Sequence, residues 1–399
     1  MHPVRTLVFA AVAAVTFIMA SAPSALAQPA TATGVSRDQN PAISVNTLFL
    51  GRVADESADA AVNGLDIQEA EIQFTSIVDP FWKANLVFAV HPAHEDHDEA
   101  ETDEHDAHRR GYEGDLEVAY IDGTALPHGF GLRLGKDYLP FGKHAPLHTH
   151  QRPFIDAPVA VRTFLGDHGL TEVGARLSHE VPLPWYSDLE VYGVDGQASI
   201  FDGDSRDLAY GARFTNLWDL NDETTFELGA SWLHGPQATG YLGLEHDGAI
   251  PGDLDLMGAD VTFKWVSAGQ SRGPAFDLTA EVILPQVDEG AGDPLGWFAH
   301  TRYRFARNWW LGVGVGAMDR DLVHHEEEEE EEEHHDHESG LFAWDEVLEA
   351  KMNLTWAPSE FSALRLEVAR YDDQVGDADE WLVSLQASIT IGSHPAHSY

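Results

Sequence analysis

The sequence is marked first by what it lacks. Its 399 residues include no cysteine, so the fold is stabilised without disulfides. After the N-terminal segment there is no run of 18 or more apolar residues, which excludes a helix that crosses a membrane. Only 23 Lys and Arg residues oppose 67 Asp and Glu residues, for a formal net charge of −44. Because like charges repel, this balance argues against nucleic acid as a partner.

The sequence also lacks the short motifs that place catalytic groups. It contains no G-x-S-x-G, no H-E-x-x-H, no phosphate-binding P-loop and no G-x-G-x-x-G that leads into a helix. We therefore predict that the protein is not an enzyme and holds no tightly bound cofactor.

The N-terminal residues have the pattern of an export signal. Arg5 supplies a positive charge, residues 7–20 form an apolar core, and Ala25, Leu26 and Ala27 form a cleavage pattern of small residues. We expect residues 1–27 to be a signal peptide and residues 28–399 to be the exported domain.

Most of the remaining chain alternates between apolar and polar residues. Near the end, Trp381, Val383 and Leu385 alternate with Ser384 and Gln386. Such alternation is typical of a strand with one apolar face. Sixteen segments share it, at about eight to thirteen residues each, close to the length that a tilted membrane strand requires. They are 43–52, 66–77, 81–91, 113–122, 129–137, 170–180, 187–194, 206–216, 223–233, 255–267, 275–284, 295–306, 308–318, 345–357, 361–371 and 381–391.

The connections between these segments alternate in length. Even-numbered connections are mostly short turns, such as 79–80, whereas odd-numbered ones are longer, such as 92–112, 138–169 and 319–344. Outer-membrane barrels have short periplasmic turns and long external loops. Tryptophans flank the short turns, as expected at a membrane interface. We therefore predict an all-β fold: a transmembrane antiparallel up-and-down β-barrel of about sixteen strands in the lipids of a Gram-negative outer membrane.

Three short stretches carry a resemblance to a known family: the hairpin of residues 69–82, the segment 134–142 and the ending 391–399. They are similar to sixteen-stranded outer-membrane porins of the phosphate-selective type. The closer likeness is to a branch with His-rich loops that is labelled zinc-regulated or TonB-dependent-receptor-like. The terminal Tyr399 matches the C-terminal aromatic of chains delivered to the barrel-assembly machinery. The resemblance implies a channel, and it leaves open whether that channel is a homotrimer.

Two long connections are candidate metal-binding loops. Together they hold 20 of the 67 acidic residues, within 95–106 and 319–338. Imidazole and carboxylate groups are ligands for zinc, nickel, copper and cobalt. The alternative is a solvated, self-repelling charged segment. The candidate ligands in these loops are His91, His94, His97, His105, His108, His324, His325, His334, His335 and His337.

The segment 138–169 is predicted to fold into the barrel and narrow it. It is too long and too rich in proline and apolar residues for a flexible linker. Its His144, His148 and His150 are candidate ligands of a discrete metal site, or simply hydrogen-bond to the barrel wall. Basic residues of the segment and the strands are predicted to line the pore: Lys136, Lys143, Arg152, Arg133, Arg176, Arg213, Lys264, Arg302, Arg304, Lys351 and Arg365.

These features predict a porin-like channel for passive uptake of small solutes. The acidic, His-rich loops favour divalent metal ions, with Zn²⁺ first, as ligand or transported solute. Two alternatives remain open from the sequence. One is an anion or phosphate porin that uses the lumen Arg and Lys residues, and the other is a surface metal-binding protein whose barrel is a non-conducting anchor.

Overall fold

The computed structural model describes residues 41–54, 63–93, 111–123, 125–167, 169–202, 207–238, 241–243, 252–267, 273–287, 293–320, 346–374 and 378–392. Sixteen strands account for most of them. They are β1 (Ala42–Ala54), β2 (Gly64–Ile77), β3 (Trp82–Pro92), β4 (Tyr112–Gly123), β5 (Phe130–Tyr138), β6 (Thr171–Glu180), β7 (Tyr186–Val194), β8 (Ala209–Asn221), β9 (Thr224–Pro236), β10 (Asp253–Val266), β11 (Ala275–Gln286), β12 (Leu295–Ala306), β13 (Trp309–Asp319), β14 (Glu346–Ser359), β15 (Ser362–Asp373) and β16 (Ala378–Gly392).

The sixteen strands form one closed antiparallel barrel. Each strand pairs with its neighbours in sequence, and β1 pairs with β16 to close the ring, with Ser44 opposite Gly392 and Ala54 opposite Leu382. The predicted barrel and its number of strands are confirmed. The largest boundary difference is at β8, which begins and ends several residues later than its segment of the sequence pattern.

The barrel is apolar outside and polar inside, the reverse of a soluble protein. On β16, Trp381 and Leu385 are 47% and 54% exposed, whereas Ser384 and Gln386 are 3% and 4% exposed. Alternation places every second side chain on the same face, so this pattern matches an outer surface solvated by lipid. Among the described residues, no helix is long and apolar enough to cross a membrane.

Aromatic side chains lie beside the short turns. Trp185 lies 5.8 Å from Trp218, measured between ring centroids, and Trp309 lies 6.5 Å from Trp356. Both pairs join neighbouring strands at the rim that carries the short connections. This is where amphipathic rings are favoured at a membrane interface.

The connection between β5 and β6 folds into the barrel, as predicted. We call residues 139–170 the inserted segment. It contains a 3₁₀ turn (Thr149–Gln151) and one α-helix, α1 (Val159–Leu165). Pro158 immediately precedes α1. Gly166 ends the helix with a φ of 83°, a backbone conformation that residues with a Cβ atom rarely adopt.

Apolar residues of the inserted segment form a core with the wall at the long-loop end of the barrel. Phe141, Phe164 and Leu165 are fully buried there. Helix α1 packs against β11, β12 and β13. Residues from two other long connections join this core: Ile200, Phe201, Tyr241 and Leu242. The barrel is therefore filled at this end by packed side chains.

Candidate functional site: the inserted segment and the lumen wall

Carboxylates of the wall bind the backbone of the inserted segment. Glu281 accepts hydrogen bonds from the N–H groups of Lys143 and His144, at 2.8 and 3.3 Å. In the same way, Glu367 accepts from the Ile155 N–H at 3.0 Å and Glu349 from the Val159 N–H at 3.1 Å. An irregular segment has N–H groups without partners of its own, and these buried carboxylates satisfy them.

Basic and amide side chains of the wall bind the segment's carbonyl groups. Lys351 Nζ donates to the carbonyl oxygens of Asp156 and Ala157, at 3.3 and 3.0 Å. Asn353 Nδ2 donates to Pro153 O at 3.1 Å, and Arg365 Nη1 donates to Arg152 O at 3.1 Å. Lys351 and Arg365, predicted to line the pore, do face the lumen, where they hold the segment in place.

Glycines of the wall make room for the segment's aromatic rings. A Cβ atom at Gly296 would lie 2.6 Å from Phe164 Cε2, and one at Gly258 would lie 2.9 Å from Phe141 Cζ. At Gly314 it would lie 3.2 Å from Phe154 Cζ. The three glycines lie on β12, β10 and β13, so one side of the wall is shaped to receive these rings.

The opposite side of the wall carries a cluster of histidines and glutamates. His148 Nδ1 lies 3.3 Å from Glu117 Oε2 and 3.5 Å from Glu71 Oε1. His150 Nδ1 lies 3.0 Å from Glu71 Oε2. Thr149, between the two histidines, donates to Glu69 Oε2 at 2.9 Å. In the sixteen-strand order, β2 and β4 lie across the barrel from β10 and β12.

Of the three predicted ligands in the inserted segment, His148 and His150 are close together in this cluster, whereas His144 lies elsewhere. The rings of His148 and His150 stack with centroids 5.5 Å apart. His144 instead packs against Phe298 and His300, with ring centroids 5.7 and 6.5 Å away. Burial lowers the pKa of His144 well below its usual value of 6.5, and the positive charge of Arg152 lowers it further. Burial also disfavours the charged form of His148, but the hydrogen bonds that His148 donates to the carboxylates of Glu117 and Glu71 raise its pKa well above 6.5.

Most of the predicted lumen cations are paired with carboxylates. Two others donate to backbone carbonyl groups: Arg304 to Gly273 O at 2.7 Å and Arg152 to Asp167 O at 2.8 Å. Lys264 lines a cavity described below. The pairs are Arg133 with Asp122 and Asp137, Arg176 with Asp137 and Glu190, Arg213 with Asp260, Arg302 with Asp277, Lys143 with Glu227, and Lys351 with Glu349.

One predicted pore-lining residue lies on the other face. Lys136 is opposite Ala119 on β4 and Val173 on β6, and Val173 is 50% exposed on the outer surface. Lys136 therefore points away from the lumen, where it pairs with Asp115 at 3.4 Å. Arg133 faces inward, and because alternation has a period of two, a residue three positions later faces outward.

Several wall residues that hold the segment were not predicted from the sequence. Arg52 pairs with Asp156, and Glu69, Glu71 and Glu349 bind the segment as described. Glu69 and Glu71 had a detectable signal, since they alternate with Ala70 and Ile72 and so share the polar face of β2. Arg52 and Glu349 had none, because their partners are more than 100 positions away.

A cavity of about 100 Å³ lies between the inserted segment and β10–β12. Its lining includes Lys143, His144, Lys264, Asp277 and Arg302. The lumen is thus bordered by mixed, mostly basic groups along β10–β12 and by the cluster of histidines and glutamates along β2 and β4. Opposed charges across a narrow passage produce a transverse field that acts on any ion inside it.

Most predicted ligands of the two acidic loops lie outside the described residues. His91, at the end of β3, is described and lies on a partly buried part of the strand. Nothing in the described residues bears on the others, which are His94, His97, His105, His108, His324, His325, His334, His335 and His337.

Comparison with known sequences finds one distant relative. An uncharacterized protein of Aquifex aeolicus (strain VF5) is 24% identical over 314 residues, which cover 71% of this chain and 63% of the relative. The chain therefore spans less than two thirds of the length of the curated relative that it matches. No family model matches the sequence.

Solved structures share the fold at low sequence identity. The anion-selective porin from Comamonas acidovorans has a TM-score of 0.52 and 11% identity, with 88% of this chain and 98% of that chain covered. The outer membrane channel DcaP of Acinetobacter baumannii has a TM-score of 0.55 and 13% identity, with 92% and 100% covered. The chain thus has the sixteen-stranded barrel fold found in outer-membrane porins.

Proposed function

We propose that the protein is an outer-membrane channel for small solutes, narrowed by the inserted segment, and that it admits divalent metal ions gathered by its acidic, His-rich loops. The observation that carries the channel is the closed barrel with a lipid-type exterior and a polar, charged lumen wall. A barrel of sixteen strands is wide enough to leave an aqueous passage. The inserted segment then determines what fits through it.

The metal part of the proposal rests on charge and ligand type. The net charge of −44 concentrates cations near the chain, and the two loops add imidazole groups to their carboxylates. Such loops raise the local concentration of zinc-class ions at the mouth, an effect that salt weakens. Inside, Glu69, Glu71 and Glu117 place further negative charge beside the segment.

An anion channel is the second candidate. It is favoured by the cavity lined with Lys143, Lys264 and Arg302, and the fold is shared with a porin described as anion-selective. Against it, Lys143 and Arg302 each pair with a carboxylate, Glu227 and Asp277. A paired cation projects a weaker field into the passage than an isolated one, so the walls offer anions little net attraction.

A non-conducting anchor is the third candidate, and the apolar core at the long-loop end favours it. Phe141, Phe164, Phe201 and Leu242 fill that end of the barrel. In that case the loops would bind metal at the surface, and no solute would pass.

Conductance in planar bilayers separates the three candidates. Purified protein under a salt gradient is expected to show discrete steps with a cation-selective reversal potential. An anion-selective potential would identify the second candidate, and the absence of steps the third. Both of these results would contradict the proposal.

The metal part has its own experiment. Every histidine within 94–108 and 324–337 is changed to glutamine, which removes the ligands and keeps the acidic charge. Cells limited for zinc are then expected to accumulate less zinc than cells with the unchanged protein, at equal protein in the membrane. A matched control changes the same number of loop acids to their amides and leaves the histidines. If zinc accumulation is the same with and without the histidines, the metal part is wrong.

A further inference from the structure

The most unusual group of side chains in the lumen is the cluster where the inserted segment meets β2 and β4. Glu71, His148 and His150 each offer a ligand atom within 4.8 Å of the others, and Glu69, Glu71 and Glu117 do the same. Glu69 and Glu71 are 3% and 2% exposed. Three elements contribute to the cluster: the histidines belong to the segment, Glu69 and Glu71 to β2, and Glu117 to β4.

Three distances within the cluster are close to those between the ligand atoms of a tetrahedral metal site. Zinc binds imidazole nitrogen and carboxylate oxygen at about 2.0–2.2 Å, so neighbouring ligand atoms in a tetrahedron lie about 3.3–3.6 Å apart. Here Nδ1 of His148 lies 3.3 and 3.5 Å from its two glutamates, and Nδ1 of His150 lies 3.0 Å from Glu71. A metal ion would therefore need only small side-chain shifts to be bound.

The charges of the cluster also call for a cation. Three carboxylates lie together in a buried place, where like charges repel strongly. Glu69 Oε1 is buried and accepts no hydrogen bond from the described residues, although the other oxygen of this carboxylate binds Thr149. A buried carboxylate oxygen without a donor is unfavourable, and a divalent ion bound beside Glu69 would reduce the repulsion among the three carboxylates.

We infer that Glu71, His148 and His150, with Glu117 completing the set, bind one divalent transition-metal ion of the zinc class and so fasten the inserted segment to the wall. Two imidazoles and two carboxylates favour zinc, cobalt, nickel or copper, whereas magnesium and calcium prefer oxygen ligands alone. The inference is independent of the proposed function, because an ion bound here stabilises the segment whether or not the barrel conducts.

The test must distinguish this site from the His-rich loops, which bind metal on their own account. Crystals of the full chain soaked in Zn²⁺ and measured at the zinc absorption edge are expected to show an anomalous peak between Glu71, His148 and His150. In solution, titration of the folded protein with Zn²⁺ against a chromophoric chelator measures the number of tight equivalents. The double variant His148→Gln/His150→Gln is expected to show one tight Zn²⁺ equivalent fewer, because its affinity for that ion falls at least about tenfold.

The matched control is His144→Gln, which changes a buried histidine of the same segment that packs against Phe298 and His300 instead. It is expected to keep the tight equivalent. Folding of each variant is checked by heat-dependent migration on gels. If the anomalous peak is absent from this place in the unaltered protein, the site is a set of His–Glu contacts and the inference is wrong. An unchanged number of tight equivalents in the double variant leads to the same conclusion, and neither result depends on conductance.

Discussion

Phe164 of the inserted segment lies directly over Gly296 of the wall, where any Cβ atom would approach the ring to 2.6 Å. Both sides of this contact are buried, and Phe164 is fully so. The position of helix α1 thus depends on the absence of a side chain on β12. A substitution at Gly296, in the wall, is therefore expected to displace the inserted segment without changing any of its own residues.

We expect Gly296→Val to push Phe164 and α1 away from the wall. Overpacking of a buried contact costs about 1–3 kcal/mol, and here the energy is relieved by movement of the segment. The protein has no cysteine, so Ala160→Cys, on the buried face of α1, is a unique probe. Maleimide is expected to label it slowly in the parent and faster when Gly296→Val is present. Gly193→Val is the control, because a Cβ there meets nothing within 4 Å. Equal labelling rates in all three proteins would contradict the contact.

We expect Gly142→Ala to loosen the start of the segment. Gly142 has φ of 61°, a conformation unfavourable for alanine, and its Cβ would overlap the carboxylate of Glu281. Strain of this kind is worth about 1–3 kcal/mol. The urea midpoint of the detergent-solubilised barrel is expected to fall, with Gly193→Ala as the unaffected control. A midpoint equal to that of the parent would show that the contact between Gly142 and Glu281 does not contribute to stability.

The ion pair of Arg52 and Asp156 predicts a defined dependence on pH. Burial alone would raise the pKa of Asp156, but Arg52, Arg162 and Lys351 lower it below its usual 3.8. The stabilisation is therefore complete above about pH 4, and it is lost as the pH falls towards the lowered value in the folded protein.

Asp156→Asn tests this dependence. Its free energy of unfolding is expected to be lower than that of the parent by about 1–3 kcal/mol, and this difference is expected to be constant between pH 5 and 8. The difference is expected to shrink below about pH 4. Arg52→Gln should remove most of the effect of Asp156→Asn, since the two residues are partners. A difference that grows on acidification would mean that Asp156 is not ionised in the folded protein.

Lys143 and Lys136 form a matched pair for ion selectivity, since both are predicted to line the pore but only Lys143 lies inside the barrel. Lys143→Gln leaves Glu227 without its partner in the lumen and is expected to shift the reversal potential towards cation selectivity. Lys136→Gln, on the outer face, is expected to leave the potential unchanged. If both variants shift it equally, the effect comes from total charge and not from the lumen.

Much of the candidate site was recognisable before the structure, and the exceptions have physical reasons. The length and composition of the inserted segment were enough to predict that it enters the lumen. The sequence predicts that His148 and His150 lie together, and they do, although at a 3₁₀ turn and not in the extended strand on which that prediction relies. Nearness in sequence alone groups His144 with them, and the turn closed by the hydrogen bond from the Leu147 N–H to His144 O separates it from them. The prediction for Lys136 is wrong because it follows from charge alone, whereas the alternation along β5 places this residue on the outer face.

The sequence alone determined the barrel. The period-two alternation is local to each strand, and the even number of strands and the lengths of the connections can be counted along the chain. Only the tertiary structure decided which wall residues meet the inserted segment. Contacts such as Glu71 with His150, Gly296 with Phe164 and Arg52 with Asp156 join positions far apart in the chain, and the closure of β1 on β16 sets which strands stand opposite one another. No local pattern encodes that pairing, because it depends on how a folded segment fits a curved wall.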